Sequence, residues 1–269
     1  MTARERYEAC TNALRSFARE AGFTDVVLGL SGGMDSALVA CMCVDAMGAE
    51  HVHGVMLPGP YTSQASLEDA QEEADALGMH AEVVSILQPF EAFESVLRKA
   101  CGGRLAGLAA ENTQARCRMV CLMALSNAHG WMLVNTGNRS EGYLGYATLY
   151  GDMAGAFAPI GGLYKTEVYE LARWRNEHAA AAGQTPPIPE RVFTKPPSAE
   201  LAPGQTDEAS MGLDYPRLDA ILSALYDEGL SSEAAAEKTG SPLELVEDVK
   251  RRSEAAAFKR ALAPAHPVA

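Results

Sequence analysis

The sequence predicts an α/β fold with a doubly wound parallel sheet, flanked by helices and followed by a helical C-terminal part. Short apolar runs typical of fully buried strands alternate with helical segments between residues 2 and 136. The segments between successive runs are long enough for the crossover helices that parallel strands need. Ligands of such sheets bind beyond the carboxyl ends of the strands, so polar residues that directly follow strands are the first site candidates.

The elements follow in order along the chain. A first helix is expected over residues 2–21, with Tyr7, Leu14 and Phe17 along one side. The expected strands are 26–30, 51–59, 80–86 and 131–136. The further expected helices are 36–46, 67–77, 89–100, 111–128, 167–181, 218–227, 231–238 and 242–257.

Two segments lack the hydrophobic periodicity of a helix or a strand. The glycine-rich stretch 145–165 is typical of a long functional loop. The proline-rich stretch 184–212 is either a linker or an ordered segment that covers a substrate. Both follow the predicted sheet, so either could contribute to a site at its edge.

Composition narrows the classes of function. The chain of 269 residues has a formal net charge of -13, which repels a phosphate backbone and disfavours tight nucleic-acid binding. Its six cysteines include no C-x-x-C pair, so we expect buried reduced thiols rather than a zinc or iron–sulfur site. The N-terminal residues lack the apolar core of a signal peptide, and no apolar run approaches the ~20 residues of a membrane span. These features predict a cytoplasmic protein with no nucleic-acid or membrane partner.

The stretch VVLGLSGGMDSALVA, residues 26–40, joins a predicted strand to a predicted helix through a glycine-rich turn. Such a turn gathers backbone N–H groups, and the helix adds its own free N–H groups and the positive end of its dipole. Ser31 and Ser36 can donate hydrogen bonds to phosphate oxygens. Asp35 would repel phosphate unless a cation lay between them, which indicates Mg²⁺. The motifs GxxxxGK[ST] and GxGxxG are both absent, which excludes the common P-loop and the dinucleotide-binding fingerprint.

The hexapeptide SGGMDS resembles the pyrophosphate loop of the ATP pyrophosphatases. These enzymes cleave ATP between its α and β phosphates, activate an acceptor oxygen as an adenylate and release pyrophosphate. The group includes NAD synthetases, GMP synthetases, asparagine synthetases and several tRNA-modifying enzymes. The loop alone does not choose among them.

Three further motifs carry polar residues at the predicted sheet edge. ENTQARCRMV opens a helix on which Asn112 and Arg116 share a face, while Arg118 points elsewhere. Thr136 ends a strand, and Glu141 could supply a second carboxylate for a metal ion. Lys165 begins a helix, where a lysine opposes the helix dipole and a phosphate ligand would account for it.

The ordered set of motifs resembles the NAD synthetase family from about residue 7 to residue 264. The segments that carry the resemblance are ENTQAR, GNRSE, TLYGDMAG, KTEVYELARW, KPPSAEL, GQTDE and FKR. The resemblance implies that ATP adenylates the pyridine carboxylate of deamido-NAD, and that ammonia then displaces AMP to give NAD. We expect no side-chain nucleophile, because positioning and electrostatics suffice for this chemistry.

The resemblance also assigns roles to individual residues. It implies that ATP contacts Gly29, Leu30, Ser31, Gly32, Gly33, Met34, Asp35, Ser36, Thr136, Lys165 and Ser198. It implies that deamido-NAD contacts Asn112, Arg116, Glu141, Tyr146, Ala147, Thr148, Leu149 and Lys259. Asp35 and Glu141 are the implied Mg²⁺ ligands, and Asp35 and Lys165 the implied positioning residues.

The chain departs from one branch of the family at three positions. The short, ammonia-using branch usually has a lysine at Leu149, an aspartate near Ala156 and a histidine at Phe258. GNRSE, TLYGDMAG and KPPSAEL instead resemble the synthetase part of the longer branch, which carries an N-terminal glutaminase domain. We expect residues 1–269 to form a single synthetase domain without a glutaminase domain, and a homodimer as is usual in the family. Ammonia is then the expected nitrogen donor, either free or supplied by a separate glutaminase chain.

Two other classes of protein compete with this interpretation. A tRNA thiolase or lysidine-forming enzyme could carry the same loop, but the acidic charge and the cysteine spacing disfavour it. A nucleotide-binding module without catalytic activity would have little use for a second metal carboxylate or a long ordered loop. Release of pyrophosphate with deamido-NAD, compared with release in the presence of tRNA, separates the three.

Overall fold

The computed structural model describes residues 1–267. Its sheet has four strands in the order β3-β2-β1-β4, and every pairing is parallel. The strands are β1 Val26–Gly29, β2 Val52–Met56, β3 His80–Val83 and β4 Met132–Leu133. Parallel strands joined by helical crossovers confirm the predicted doubly wound α/β fold.

The helices of the first half alternate with these strands. They are α1 Ala3–Glu20, α2 Met34–Met47, α3 Gln64–Leu77, α4 Leu87–Leu97 and α5 Leu108–His129, with a 3₁₀ turn at Ala49–His51. The second half contains α6 Arg139–Leu144, α7 Lys165–Ala181, α8 Glu190–Thr194, α9 Asp207–Met211, α10 Tyr215–Leu222, α11 Ser232–Thr239, α12 Leu243–Ala255 and α13 Ala257–Arg260. A π-helical turn, Ser223–Asp227, follows α10.

The two faces of the sheet are covered by different helices. Along β1, Val26 and Leu28 belong to the core shared with α1, α2, α3 and α7, whereas Val27 belongs to the core shared with α4 and α5. This division follows from the alternation of side chains along a strand. A third core joins α6, α10, α11 and α12, which is the predicted helical C-terminal part.

Several predicted boundaries are wrong. Helix α2 begins at Met34, two residues before its predicted start, so Asp35 lies in its first turn. The predicted strand 131–136 is only Met132–Leu133, continued by a single bridge from Val134 to Phe157. The proline-rich stretch contains the unpredicted helices α8 and α9. The predicted loop is confirmed, since residues 145–164 connect α6 to α7 without a helix.

The cysteines are free thiols in the described residues, but not all are buried as predicted. Cys10, Cys41, Cys43 and Cys117 are buried, whereas Cys101 is exposed. Cys121 is partly buried, and Cys101 lies in the turn after α4. Among the helices of residues 1–267, none combines the length and hydropathy that a membrane crossing requires.

The Glu73 carboxyl group lies in the core and has no ion-pair partner among residues 1–267. Glu73 on α3 is 1% exposed, and its only side-chain hydrogen bond within residues 1–267 comes from the Cys41 thiol, with Sγ 3.9 Å from Oε1. Burial raises the pKa of Glu73 from 4.5 to about 8. The folded protein therefore keeps a proton on Glu73 at a pH at which the unfolded chain has lost it.

This burial predicts a pH-dependent stability that Glu73→Gln removes. Between pH 5 and pH 8 Glu73 is protonated more fully in the folded state than in the unfolded state, so its contribution to the free energy of unfolding falls as pH rises. We expect the free energy of unfolding of Glu73→Gln, minus that of wild type, to increase by about 1.4 kcal/mol for each pH unit over this interval. Urea unfolding of both proteins at several pH values measures the difference. A difference that does not change with pH would contradict a buried, protonated Glu73.

Candidate active site

A cavity of about 740 Å³ opens at the carboxyl ends of the strands. Its lining includes the turn after β1, the segment after β2, one side of α5 and the segment after β4. The loop after α6, part of the proline-rich stretch and residues near the C-terminus complete it. This is the sheet edge at which the sequence places the polar candidates, and Gly29, Asp35, Thr136, Glu141 and Lys165 all line it.

The glycine turn at the mouth of β1 is held by its own hydroxyl groups. The Gly33 N–H donates to Ser31 Oγ at 3.2 Å, and Ser36 Oγ donates to the Gly33 carbonyl at 3.0 Å. The two hydroxyl oxygens of Ser31 and Ser36 lie 3.0 Å apart. The hydroxyls predicted to donate to phosphate therefore donate within the turn in this structure.

Gly32 brings the turn against the start of α3. Its φ is +68°, and a Cβ built there would lie 2.1 Å from the carbonyl oxygen of Ser66. No side chain caps α2, whose N-cap is Gly33. The turn thus leaves the N-terminus of a 14-residue helix open toward the cavity, which favours an anion there.

The charged centre of the cavity is a buried lysine between two carboxylates. The Lys165 side chain is 3% exposed, its Nζ donates to Asp35 Oδ2, and Glu141 Oε1 lies 3.6 Å from the same Nζ. Asn138 Nδ2 donates to the other Asp35 oxygen at 3.1 Å. Burial alone would lower the pKa of Lys165, but the carboxylates of Asp35 and Glu141 raise it above its ordinary value. Lys165 therefore stays protonated and neutralises carboxylate charge. Its contact with phosphate stays a prediction.

Glu141 also contacts two uncharged side chains, those of Asn138 and Tyr215. It lies in the first turn of α6, where the Asn138 side chain caps the helix by accepting from the Glu141 N–H at 3.0 Å. Tyr215 Oη lies 3.3 Å from Glu141 Oε1 and 3.1 Å from Asp207 Oδ2. Burial raises the pKa of Glu141, and the carboxylates of Asp35 and Asp207 add to that effect. The sequence assigned no role to Tyr215, which lies 74 residues from Glu141 and in none of the motifs considered.

The carboxylates of Asp35 and Glu141 fit a magnesium ion whose other ligands are phosphate oxygens and water. Asp35 and Glu141 both contact one cation, the Lys165 ammonium, so their oxygens already converge on a positive charge. Within residues 1–267, no group of three or more His, Cys, Asp or Glu side chains is arranged to hold a metal ion. One or two carboxylates completed by phosphate oxygens and water are the usual Mg²⁺ ligands.

The stretch Tyr146 to Leu149 is divided between the cavity and the surface of α5. Tyr146 and Ala147 line the cavity, and Lys259 Nζ donates to the Ala147 carbonyl at 2.6 Å. Neither Thr148 nor Leu149 is among the lining residues. Their partners are Asn112, whose Oδ1 accepts from Thr148 Oγ1 at 2.8 Å, and Arg116, whose Nε donates to the Leu149 carbonyl at 3.2 Å.

Asn112 and Arg116 therefore support this loop from behind rather than line the cavity. The sequence correctly placed them on one helix face, but the face packs on the loop. Arg118 points to the other side of α5, as predicted, and that side lines the cavity. The sequence assigned no ligand to Arg118, because helical spacing separates faces without telling which one meets the site.

The proline-rich stretch is fastened across the cavity mouth. Glu200 accepts from the hydroxyls of Ser63 and Ser66, both at 2.9 Å, and has a left-handed φ of +47°. Ser198 lines the cavity and donates its hydroxyl to the Gln205 carbonyl at 2.6 Å. The stretch is therefore an ordered part of the cavity wall rather than a linker, and that it covers a substrate stays a prediction.

The two remaining positions of departure lie outside the cavity lining. The Ala156 N–H donates to the Leu133 carbonyl at 2.8 Å and so continues the edge of the sheet. Phe258 is 59% exposed.

Comparison with known proteins places the chain in a family. The NAD synthase family model matches residues 6–263. The chain is 45% identical over 256 residues to the glutamine-dependent NAD(+) synthetase of Thermotoga maritima, covering 95% of this chain and 43% of that protein. The chain spans about half the length of the curated relatives it matches.

Two solved structures resemble the fold closely. An NH3-dependent NAD synthetase from Campylobacter jejuni, in complex with nitrate, superposes with a TM-score of 0.75 at 30% identity and 96% coverage of both chains. A glutamine-dependent NAD+ synthetase from Acinetobacter baumannii, in complex with ADP, gives 0.68 at 39% identity, covering 99% of this chain and 47% of that one. The family model matches nearly the whole chain, and a relative is 45% identical over 256 residues. This chain therefore belongs to the NAD synthase family.

Proposed function

We propose that this chain is an NAD synthetase that amidates deamido-NAD at the expense of ATP, with ammonia as the nitrogen donor. The observation that carries the proposal is one cavity in which a glycine turn, an open helix N-terminus and the Asp35–Lys165–Glu141 group converge. Membership of the NAD synthase family supports it, as does the ADP bound by the Acinetobacter baumannii relative.

The proposed reaction has two steps. A carboxylate oxygen of deamido-NAD bonds to the α-phosphorus of ATP, and the bond from that phosphorus to the bridging oxygen breaks, so that pyrophosphate leaves. The nitrogen of ammonia then bonds to the acyl carbon of the mixed anhydride, the acyl–oxygen bond breaks, and AMP leaves. The attacking nitrogen loses a proton, and the products are NAD, AMP and pyrophosphate.

The chain's own groups supply the electrostatics of the first step. Two anions must approach each other, and the N–H groups of the glycine turn and of the first turn of α2 lower that repulsion. Lys165 places a permanent positive charge at the same edge, and Thr136 and Ser198 provide hydroxyls along the cavity wall. When Mg²⁺ is bound, it neutralises charge on the triphosphate; Asp35 and Glu141 would hold it.

Deamido-NAD is assigned to the side of the cavity formed by the loop after α6. Tyr146, Ala147 and Lys259 lie in the lining there, and Asn112 and Arg116 hold the backbone of that loop from behind. Of the residues proposed for this substrate, Glu141, Tyr146, Ala147 and Lys259 line the cavity, whereas Asn112, Arg116, Thr148 and Leu149 act by holding the loop in place.

A homodimer and a cytoplasmic location stay predictions of the sequence, as does the organisation of residues 1–269 as one synthetase domain. Light scattering at micromolar concentration tests the first, with a purely monomeric species counting against it. Ammonia could come free from solution or from a separate glutaminase chain.

An assay of nitrogen donors tests the proposed function. Purified chain, ATP, Mg²⁺ and deamido-NAD are incubated with ammonium chloride or with glutamine, and NAD, AMP and pyrophosphate are quantified. We expect equal amounts of the three products with ammonium and none with glutamine alone. Absence of NAD with ammonium, or pyrophosphate release that requires tRNA instead of deamido-NAD, would refute the proposal. NAD formed from glutamine by the chain alone would refute ammonia as the direct donor.

A further inference from the structure

Asp219 is a buried carboxylate on α10 that lies outside the cavity lining. Its Oδ1 accepts a hydrogen bond from Ser140 Oγ at 2.5 Å. Its Oδ2 accepts from the Thr166 N–H and from Thr166 Oγ1, both at 2.8 Å. Three donors therefore converge on one side chain, and the reaction described above gives it no role.

The partners of Asp219 are the chain neighbours of two charged residues in the cavity. Ser140 precedes Glu141 in the first turn of α6, and Thr166 follows Lys165 in the first turn of α7. Ser140 Oγ also accepts from the Lys165 N–H at 2.9 Å. Asp219 thus joins the first turns of the two helices that carry Glu141 and Lys165.

The surroundings of Asp219 suit a negative charge without an ion pair. No cationic side chain among residues 1–267 forms a salt bridge with it, and burial raises its pKa, while the hydrogen bonds from Ser140 and Thr166 act against that effect. All three contacts are donated to Asp219, as an ionised carboxylate requires. It lies at the N-terminus of the 17-residue helix α7, where the helix dipole favours an anion. Asp219 therefore offsets the unfavourable position of Lys165 at the start of that helix.

A second carboxylate repeats this arrangement in the π-helical turn after α10. Asp227 accepts from the Arg139 guanidinium and from Tyr164 Oη, the latter at 2.9 Å. Arg139 is the first residue of α6, and Tyr164 is the N-cap of α7. The segment formed by α10 and its π turn thus contacts the starts of both helices at two points.

The separation of these helix starts fixes the geometry of the charged centre. Glu141 and Lys165 belong to different helices, yet their Oε1 and Nζ atoms lie 3.6 Å apart, and Nζ also contacts Asp35. A shift of about 1 Å between groups that act together can cost about 10²-fold in rate, even when the substituted residue is remote. The groups that tie α6 to α7 therefore control the separation of Glu141 and Lys165.

We propose that Asp219 is a positioning residue, which holds Glu141 and Lys165 at the separation that the adenylation step needs. This inference rests on the proposed function, because it assumes that adenylation takes place in this cavity. It adds a residue outside the cavity that none of the sequence motifs assigns.

The variants Asp219→Asn and Ser140→Ala test the link between the two helices. Because Thr166 donates twice to one oxygen of Asp219, the amide nitrogen of asparagine would face Ser140 and weaken the link to α6. We expect pyrophosphate release in a single turnover without ammonium to slow by about 10- to 100-fold in both variants. The Mg²⁺ concentration for half-maximal rate should rise, and the KM for ammonium should not rise by more than about twofold, because ammonia enters only the second step. Unchanged pyrophosphate release in Ser140→Ala, which loses only one hydroxyl, would overturn the proposal even if Asp219→Asn fails to fold.

The double variant Lys165→Met/Asp219→Asn separates positioning from an independent effect. Lys165→Met already removes the ammonium whose place Asp219 sets, so the added substitution should slow pyrophosphate release by only about twofold. Equal factors in the wild-type and Lys165→Met backgrounds would show that Asp219 acts independently of Lys165, and would overturn the proposal.

Asp214→Ala is the matched control for damage to α10. Asp214 is the exposed N-cap of that helix, and its side chain accepts from the Arg217 N–H at 2.8 Å without contacting α6 or α7. We expect Asp214→Ala to lower Tm by about 2–4 °C and to keep the wild-type rate of pyrophosphate release. A slowing in Asp214→Ala equal to that in Asp219→Asn would assign the effect to the stability of α10 and overturn the positioning role.

Crystal structures of wild type and Asp219→Asn give a readout that does not depend on activity. We expect the distance from Lys165 Nζ to Glu141 Oε1 to exceed about 4 Å in the variant, beyond the range of an ion pair. A distance unchanged from 3.6 Å would overturn the proposal. If wild type forms no NAD, the proposed function fails, whereas this structural comparison still decides on Asp219.

Discussion

Replacement of Asp35 by asparagine should lower kcat/KM for NAD formation by about 10³-fold, comparable to the loss of a preorganised electrostatic group in other active sites. Asp35 is one of two carboxylates on the buried Lys165 ammonium, and it lies in the first turn of α2, directly after the glycine turn. Asparagine keeps the shape but removes the charge that a metal ion requires. Glu141 remains beside Lys165, so the folded state should persist.

The dependence of the rate on Mg²⁺ separates a metal ligand from a partner of Lys165. A variant that has lost a ligand needs more Mg²⁺ for half-maximal activity, whereas loss of an ion pair alone does not change that concentration. Asp75→Asn, an exposed aspartate on α3, should behave as wild type. Activity of Asp35→Asn within about tenfold of wild type would contradict the proposed role, because so small a loss is only about 1.4 kcal/mol.

Replacement of Gly32 by alanine should lower kcat/KM for ATP by about 10²-fold, the cost of displacing reacting groups by about 1 Å. The φ of +68° is unfavourable for alanine, and the new Cβ would lie 2.1 Å from the Ser66 carbonyl oxygen. Because the Ser66 atoms in contact are backbone atoms, the clash can be relieved only if the turn moves away from α3. The N–H groups that the turn gathers would then no longer converge on one point.

Gly78 provides the matched control for Gly32. Its φ is +67°, but a Cβ there would meet nothing within 4 Å. Gly78→Ala should therefore lose about 1 kcal/mol of stability through backbone strain and keep full activity. Equal kinetic effects of the two substitutions, measured as kcat/KM for ATP, would show that strain rather than contact with Ser66 governs the turn.

The fold was predictable because strand β1 is a short, wholly apolar run and helical segments alternate with the strands that follow it. Val26 to Leu28 are buried on both faces of the sheet, as a parallel strand requires, and the glycine turn follows where predicted. The prediction was poorest for β4, which lies at the edge of the sheet. Tertiary bridging by Phe157, rather than local pattern, decides how far that edge extends.

The site was predictable where a residue follows a strand or opens a helix. Asp35, Thr136, Glu141 and Lys165 do so, and the structure brings all four to one cavity. Position along the chain could not reveal that Lys165 pairs with Asp35, which lies 130 residues away. A buried ammonium needs a counter-charge in the folded state, and only the tertiary structure shows which one is within reach.

Residues on helix faces were the hardest to assign. Arg116 and Arg118 are two positions apart on α5, and the period of the helix separates them without saying which side is packed and which is open. The loop after α6 covers the face of Arg116, while the cavity opens on that of Arg118. Tyr215 was missed for a similar reason, since its link to Glu141 and Asp207 arises from the packing of α10 against α6.

Transfer of oxygen from substrate to AMP tests the central claim, that this cavity activates a carboxylate as an adenylate, most directly. Deamido-NAD labelled with ¹⁸O in its nicotinate carboxylate is converted by the chain with ATP, Mg²⁺ and ammonium, and the AMP is analysed by mass spectrometry. Attack of the carboxylate on the α-phosphorus predicts one ¹⁸O atom in each AMP formed. Unlabelled AMP, or label found in pyrophosphate, would contradict the claim.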